Sequence, residues 1–87
     1  SQALLKVVAV LESDVRHKPG RLFFKPAYVV STPLGFSATP IEIQGSADVV
    51  GFARANALMA LPASGVDLAK GAALEVLLLP GRVYDQW

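Results

Sequence analysis

The chain has 87 residues, with 53% hydrophobic and 17% charged side chains, a net charge of +1 and no cysteine. That length holds one domain with a modest core. The absence of cysteine excludes disulfide scaffolds and thiolate metal sites, and the near-neutral charge argues against wholesale nucleic-acid binding. So apolar a composition in so short a chain points to a module that buries further surface against another domain or a second copy.

Leu4 to Glu12 is rich in branched residues and predicts a strand. Ser13 to Gly20 is polar and closes on Pro19-Gly20, a turn signal. Arg16, His17, Lys18, Arg21 and Lys25 fall within ten residues with no carboxylate among them, either as a solvated loop or as a local anion site. His17 is the single histidine and reads as a solvated loop residue, since one imidazole makes neither a metal site nor a catalytic triad. Arg21 to Ser31 predicts a second strand bent at Pro26, and Thr32 to Gly35 a hairpin-like loop. Phe36 to Ile43 predicts a third strand containing Pro40. A proline in each of two strands suggests a bent, partly open pairing.

The period then changes. Ser46 to Asn56 predicts a helix, with Ser46 as its cap, Asp48 in the first turn as a dipole partner, and Arg54 and Asn56 closing the last turn. Gly51 costs such a helix about 1 kcal/mol relative to Ala, which calls for a packing reason. Ala57 to Leu61 predicts a short buried strand stopped by Pro62, and Ala63 to Gly65 a loop. Leu68 to Gly71 is a turn before a last strand over Ala73 to Leu79, which Pro80-Gly81 ends. Val83 to Trp87 is a tail, with Tyr84 and Trp87 as candidates either for docking on a partner or for fraying. The whole is a mostly-β chain with one short α-helix, a small barrel or bent ribbon.

Two readings of the Gln44-Gly45-Ser46 turn stand side by side. One is an ordinary helix cap. In the other, the amides of Gly45, Ser46 and Ala47 face a phosphate or similar oxyanion, with Gln44 as a neutral donor. Arg21 is likewise either a surface ion-pairing residue or a bidentate oxyanion contact. The seven carboxylates are scattered, with no spacing that compels acid–base or metal chemistry. Ser1-Gln2-Ala3 has neither the basic region of a signal peptide nor an initiator Met, so the chain reads as one domain, 1–87, cut from a longer protein. No apolar run is long enough to span a bilayer as a helix.

Lys18-Pro19-Gly20-Arg21, Gln44-Gly45-Ser46, Ala55-Asn56-Ala57-Leu58, Leu61-Pro62, Lys70-Gly71 and Leu74 to Leu78 follow one another in an order and spacing that resembles the C-terminal domain of the MoeA-type molybdopterin molybdenumtransferases, relatives of the enzymatic domain of gephyrin. The resemblance implies a bent β-ribbon, or β-clip, from a cytoplasmic homodimeric enzyme. That enzyme inserts molybdate into adenylated molybdopterin with release of AMP and a requirement for Mg2+. It assigns Arg21, Gln44, Gly45 and Ser46 to an oxyanion-binding wall of an intersubunit cleft. No catalytic residue, metal ligand or cofactor is expected within this domain alone, and its partners are the remaining domains, the second subunit and the small-molecule substrates. Nucleic acid and membrane are not expected as partners. A non-catalytic binding or association module is the alternative. The chain departs from the family pattern at Ile41-Glu42-Ile43, where many members carry a small polar, glycine-containing stretch.

Overall fold

Residues 4–45 and 47–84 are described by the computed structural model. Their elements in chain order are β1 (Leu5–Leu11), β2 (Val15–His17), β3 (Phe23–Thr32), β4 (Gly35–Pro40), α1 (Val49–Arg54), β5 (Ala57–Leu61), β6 (Val66–Leu68) and β7 (Ala73–Leu78). Five strands close into a barrel in the order β1-β4-β3-β5-β7, and β2 and β6 form a separate two-stranded ribbon. Only the β1–β4 pair of the barrel is parallel; the other four are antiparallel.

Strand alternation sorts the side chains. On β1, Ala9 and Leu11 are fully buried, while Val8 and Val10 stand outward and exposed. A five-stranded barrel leaves a narrow interior, and the sequence fits it with small residues. Ala9, Ala27, Ala38 and Ala57 are all fully buried, beside Leu11, Val29, Met59 and Val76. A bulky side chain at any of the four alanines would overfill that space.

The expected mostly-β fold with one short helix is what the chain adopts, but the expected partly open pairing is not. β3 runs unbroken for ten residues. Its first half pairs with β5, up to Ala27 opposite Ala57, and its second half pairs with β4, from Ala27 opposite Pro40. Both prolines therefore lie where β3 exchanges one neighbour for the other. The Pro26 carbonyl accepts from the Ile41 amide at 2.9 Å, on the β4 side. The Pro26 nitrogen faces that same side, past the end of β4, so the β5 ladder loses no donor. Pro40 is itself the last residue of β4, three residues short of the expected end.

Two further differences concern short elements. The expected polar loop contributes β2, and Val66-Asp67, with Leu68 from the expected turn, forms β6; the two pair from Val15–Leu68 to His17–Val66. The helix is shorter than expected, and it is capped by Asp48, not Ser46. Ser46 lies outside the described residues. No left-handed Asn56 closes the helix; Ala55 leaves it in an extended conformation.

Asn56 instead holds three strands of chain together. Its Oδ1 accepts from the Val29 amide at 2.7 Å, and its Nδ2 donates to the carbonyls of Val29 at 2.8 Å and Val83 at 3.0 Å. The Asn56 carbonyl accepts from the Tyr84 hydroxyl at 2.8 Å, and that hydroxyl also lies against the Leu79 carbonyl. Tyr84 thus folds back onto the core fringe and is neither frayed nor free to dock elsewhere. Trp87 lies outside the described residues. Among the described residues, no helix is long and apolar enough to cross a membrane.

Candidate functional site

The connection from β4 to α1 carries the Gln44-Gly45 turn. Gly45 has φ 131°, a backbone conformation that side chains with a Cβ rarely adopt. The Asp48 carboxylate closes the turn. Its Oδ1 accepts from the Gly51 amide at 2.8 Å and its Oδ2 from the Gln44 amide at 3.0 Å, while the Asp48 amide donates to the Gly45 carbonyl at 3.1 Å. The Gln44 amide first, and the Gly51 amide second, hold the Asp48 carboxyl below its ordinary value, with burial pulling weakly the other way. The packing reason for Gly51 is now visible. A Cβ there would meet Asp48 Oδ2 at 2.8 Å and Ile43 Cδ1 at 3.0 Å.

This arrangement engages the backbone amides of Gln44 and Gly51, neither of which is among the expected anion-facing amides of Gly45, Ser46 and Ala47. The chain's own carboxylate takes the Gly51 amide at the start of α1, so that amide is not open to a ligand. The polar groups that remain available face a hollow of about 590 Å³ on one side of the turn. It is lined by Tyr28, Thr39, Glu42, Gln44, Asp48 and Arg54, with Pro40, Ile41, Val50 and Gly51 completing its walls. Glu42, the departure from the family pattern, is met by Lys25 at 2.6 Å, which compensates its charge.

Gly45 turns to the other side, onto an apolar groove of about 340 Å³ that includes Phe23, Phe24, Pro26, Phe52, Leu58 and Leu79. Phe23, Phe24 and Phe52 are each about half exposed here.

Arg21 is exposed on the loop between β2 and β3 and does not line the hollow that holds Gln44. The structure brings Gln44 together with Arg54, whereas Arg21 is two residues from Phe23 in the groove wall. Its backbone is fixed by His17, whose Nε2–H donates to the Arg21 carbonyl at 2.8 Å. The His17 ring also stacks on Phe23, with centroids 6.0 Å apart and planes 19° from parallel. His17 is therefore a half-buried structural residue on β2, and not a solvated loop histidine.

The basic cluster seen in the sequence is divided in the fold. Arg16 pairs with Asp67 across the β2–β6 ribbon at 3.3 Å, Lys25 pairs with Glu42, and His17 is held as above. In sequence Arg54 closes the helix, and beside an anion site Asp48 could orient it or Arg21. The place of Arg54 in the hollow depends on Tyr28 and Thr39 lying outward on neighbouring strands, and no local pattern encodes that adjacency. Among the described residues, no group of three His, Cys, Asp or Glu side chains could hold a metal ion.

No curated protein gives a significant match. Among solved structures, the crystal structure of the molybdopterin biosynthesis MoeA protein from Pyrococcus horikoshii matches with a TM-score of 0.72 and 25% identity, covering 86% of this chain. This chain spans 19% of that protein's length. The family model for the MoeA C-terminal region (domain IV) matches residues 8–79, which take in all seven strands in whole or part, the helix and the Gln44–Asp48 turn. The chain belongs to the MoeA C-terminal region (domain IV) family.

Proposed function

We propose that this domain supplies one wall of the oxyanion-binding cleft in a molybdopterin molybdenumtransferase, with the opposite wall in parts of a longer parent protein. The observation that carries this reading is the family match over residues 8–79, which includes Arg21 and the Gln44-Gly45-Ser46 turn. The likeness to a molybdopterin biosynthesis protein over most of the chain supports it. In this reading the parent is a cytoplasmic homodimer that takes molybdate and adenylated molybdopterin as substrates. The 87 residues are a single domain of it.

The chemistry asked of this wall is recognition of negative oxygen. A guanidinium presents a rigid fork of donors that matches an oxyanion. His17 fixes the backbone from which the Arg21 fork projects. Gln44 adds uncharged donor capacity from the hollow that it shares with Arg54. Donors placed where charge builds up on a departing phosphate lower the barrier to its release. The Mg2+ that such a reaction uses does not fit the described residues of this chain. Its described carboxylates form no ligand cluster, and Glu42, Asp48 and Asp67 are engaged by Lys25, by backbone amides and by Arg16 respectively. Mg2+ is therefore assigned to the rest of the parent.

Arg21→Ala and Ser46→Ala in the full-length parent test the reading by molybdenum insertion. Loss of about tenfold or more in either variant supports it, on the scale of one charge-assisted hydrogen bond. Full activity in both removes the role assigned to the pair. A second reading, a non-catalytic association module, is favoured by one observation, the half-exposed phenylalanines along the apolar groove. It predicts that Phe52→Ser disrupts assembly of the parent while Arg21→Ala leaves activity intact.

A further inference from the structure

Beside the hollow around Gln44, and sharing Tyr28 and Arg54 with it, lies a smaller cleft of about 190 Å³; of the hollow's two carboxylates, Glu42 is paired with Lys25 and Asp48 is taken by backbone amides. The polar side chains of the cleft are Arg54, Arg82, Tyr28 and Asn56, and among the described residues no carboxylate lines it. Asn56 is already committed, since its amide group bonds to Val29 and Val83. The groups left to face a ligand are two guanidiniums and a phenol, all of them donors. Neither arginine has an ion-pair partner among the described residues, where Arg16 and Lys25 do.

The two arginines are also held on fixed backbone. Arg54 closes α1, and the chain beyond it is pinned by the Asn56 amide donating to the Ala27 carbonyl at 3.1 Å. Arg82 follows the Pro80-Gly81 turn, and the next two residues are clamped through Val83 to Asn56 and through Tyr84 to the Ser31 amide at 2.6 Å. Tyr28 stands between them on β3, half buried and flanked by the inward-facing Ala27 and Val29. Two like charges gathered at one clamped cleft repel each other, and a doubly charged anion relieves that repulsion.

We propose that the Arg54–Arg82–Tyr28 cleft is a second anion site, selective for a phosphate-class dianion. The guanidiniums bind its oxygens and the Tyr28 hydroxyl donates a third hydrogen bond. This site does not include Arg21, Gln44, Gly45 or Ser46 and does not rest on the molybdenum reading.

The test is a 31P NMR line-broadening titration of the full-length protein with inorganic phosphate and, separately, phenyl phosphate. The wild type is compared with Arg54→Ala/Arg82→Ala, Tyr28→Phe and Arg21→Ala. Binding of about millimolar strength is expected for two charge-assisted contacts at an open site. The double variant should weaken it at least about tenfold, and Tyr28→Phe about two- to tenfold. Arg21→Ala removes any binding at the oxyanion wall, and in that background the Arg54→Ala/Arg82→Ala change should produce the same loss as in the wild type. Both arginines are exposed, so circular dichroism of the double variant should match the wild type. The probe bound more tightly identifies the ligand as free or esterified phosphate. Equal broadening in the wild type and the double variant would overturn the proposal. So would an absence of binding in the wild type with a loss of thermal stability in the double variant, which would mean that a carboxylate elsewhere in the parent fills the cleft.

Discussion

Replacing Asn56 with alanine should cost this chain a large part of its stability. Asn56 is 3% exposed, and Val29, to which it bonds twice, is fully buried. Alanine leaves the Val29 amide and carbonyl with no side-chain partner, and water has no route to them. Each orphaned buried group costs about 1–3 kcal/mol, so the pair costs about 2–6 kcal/mol. The Val83 carbonyl is only part-buried, so solvent can replace that bond. A chain of 87 residues has a total stability of about 4–13 kcal/mol, so the variant should be marginal. Asn56→Asp should be worse still. It keeps an acceptor for the Val29 amide but turns an oxygen toward the carbonyls of Val29 and Val83, and it buries a charge. Urea denaturation followed by circular dichroism gives the stability of both variants, and hydrogen exchange at the Val29 amide reports the bond itself. A loss below about 1 kcal/mol for the alanine, or an aspartate variant as stable as the native chain, would refute this account of the staple.

Gly51→Ala should destabilise despite alanine's better helix propensity, because its Cβ would sit 2.8 Å from Asp48 Oδ2; denaturation should show a net loss of about 1–2 kcal/mol. The Asp48 carboxyl is held below its ordinary value in the fold by the Gln44 and Gly51 amides. Its stabilising contribution is therefore complete above that value and is lost as pH falls through the lowered one. Asp48→Asn should flatten the acid limb of the stability curve, and an unchanged acid limb would count against the cap. Burial first of all raises the Tyr84 phenol above 10.0, against a smaller opposing effect of Arg82. Stability from Tyr84 is thus intact below pH 10 and is lost as pH rises through the raised value. Tyr84→Phe should remove that alkaline limb and cost about 1 kcal/mol at neutral pH, both read by urea titration across pH.

Strand content was legible wherever a run of branched residues met a hard stop. Ala57 to Leu61 before Pro62 is a strand with those same bounds, and the last strand misses only Leu79. The three-residue strands β2 and β6 were not legible. Neither is long enough to show alternation, and each exists because its partner 49 to 53 positions away completes the ladder. Barrel closure is likewise a long-range property. Pro26 and Pro40 argue locally for an opening, yet they lie together at the handover of β3 between β4 and β5, where no donor is missed. Ser46 and Asp48 are both competent caps. The choice fell to Asp48 because the helix starts at Val49, which local sequence does not decide. Of the site, the Gly45 turn and the identity of the arginines could be read from sequence. Their grouping could not: Gln44 shares its hollow with Arg54, and Arg21 stands elsewhere.

The central claim, that this domain faces the oxyanion substrate, is tested most directly by the molybdate dependence of molybdenum insertion in the full-length Arg21→Ala protein. Loss of one guanidinium contact should raise the molybdate concentration for half-maximal rate by about 10- to 100-fold. A molybdate dependence identical to that of the native protein would contradict it.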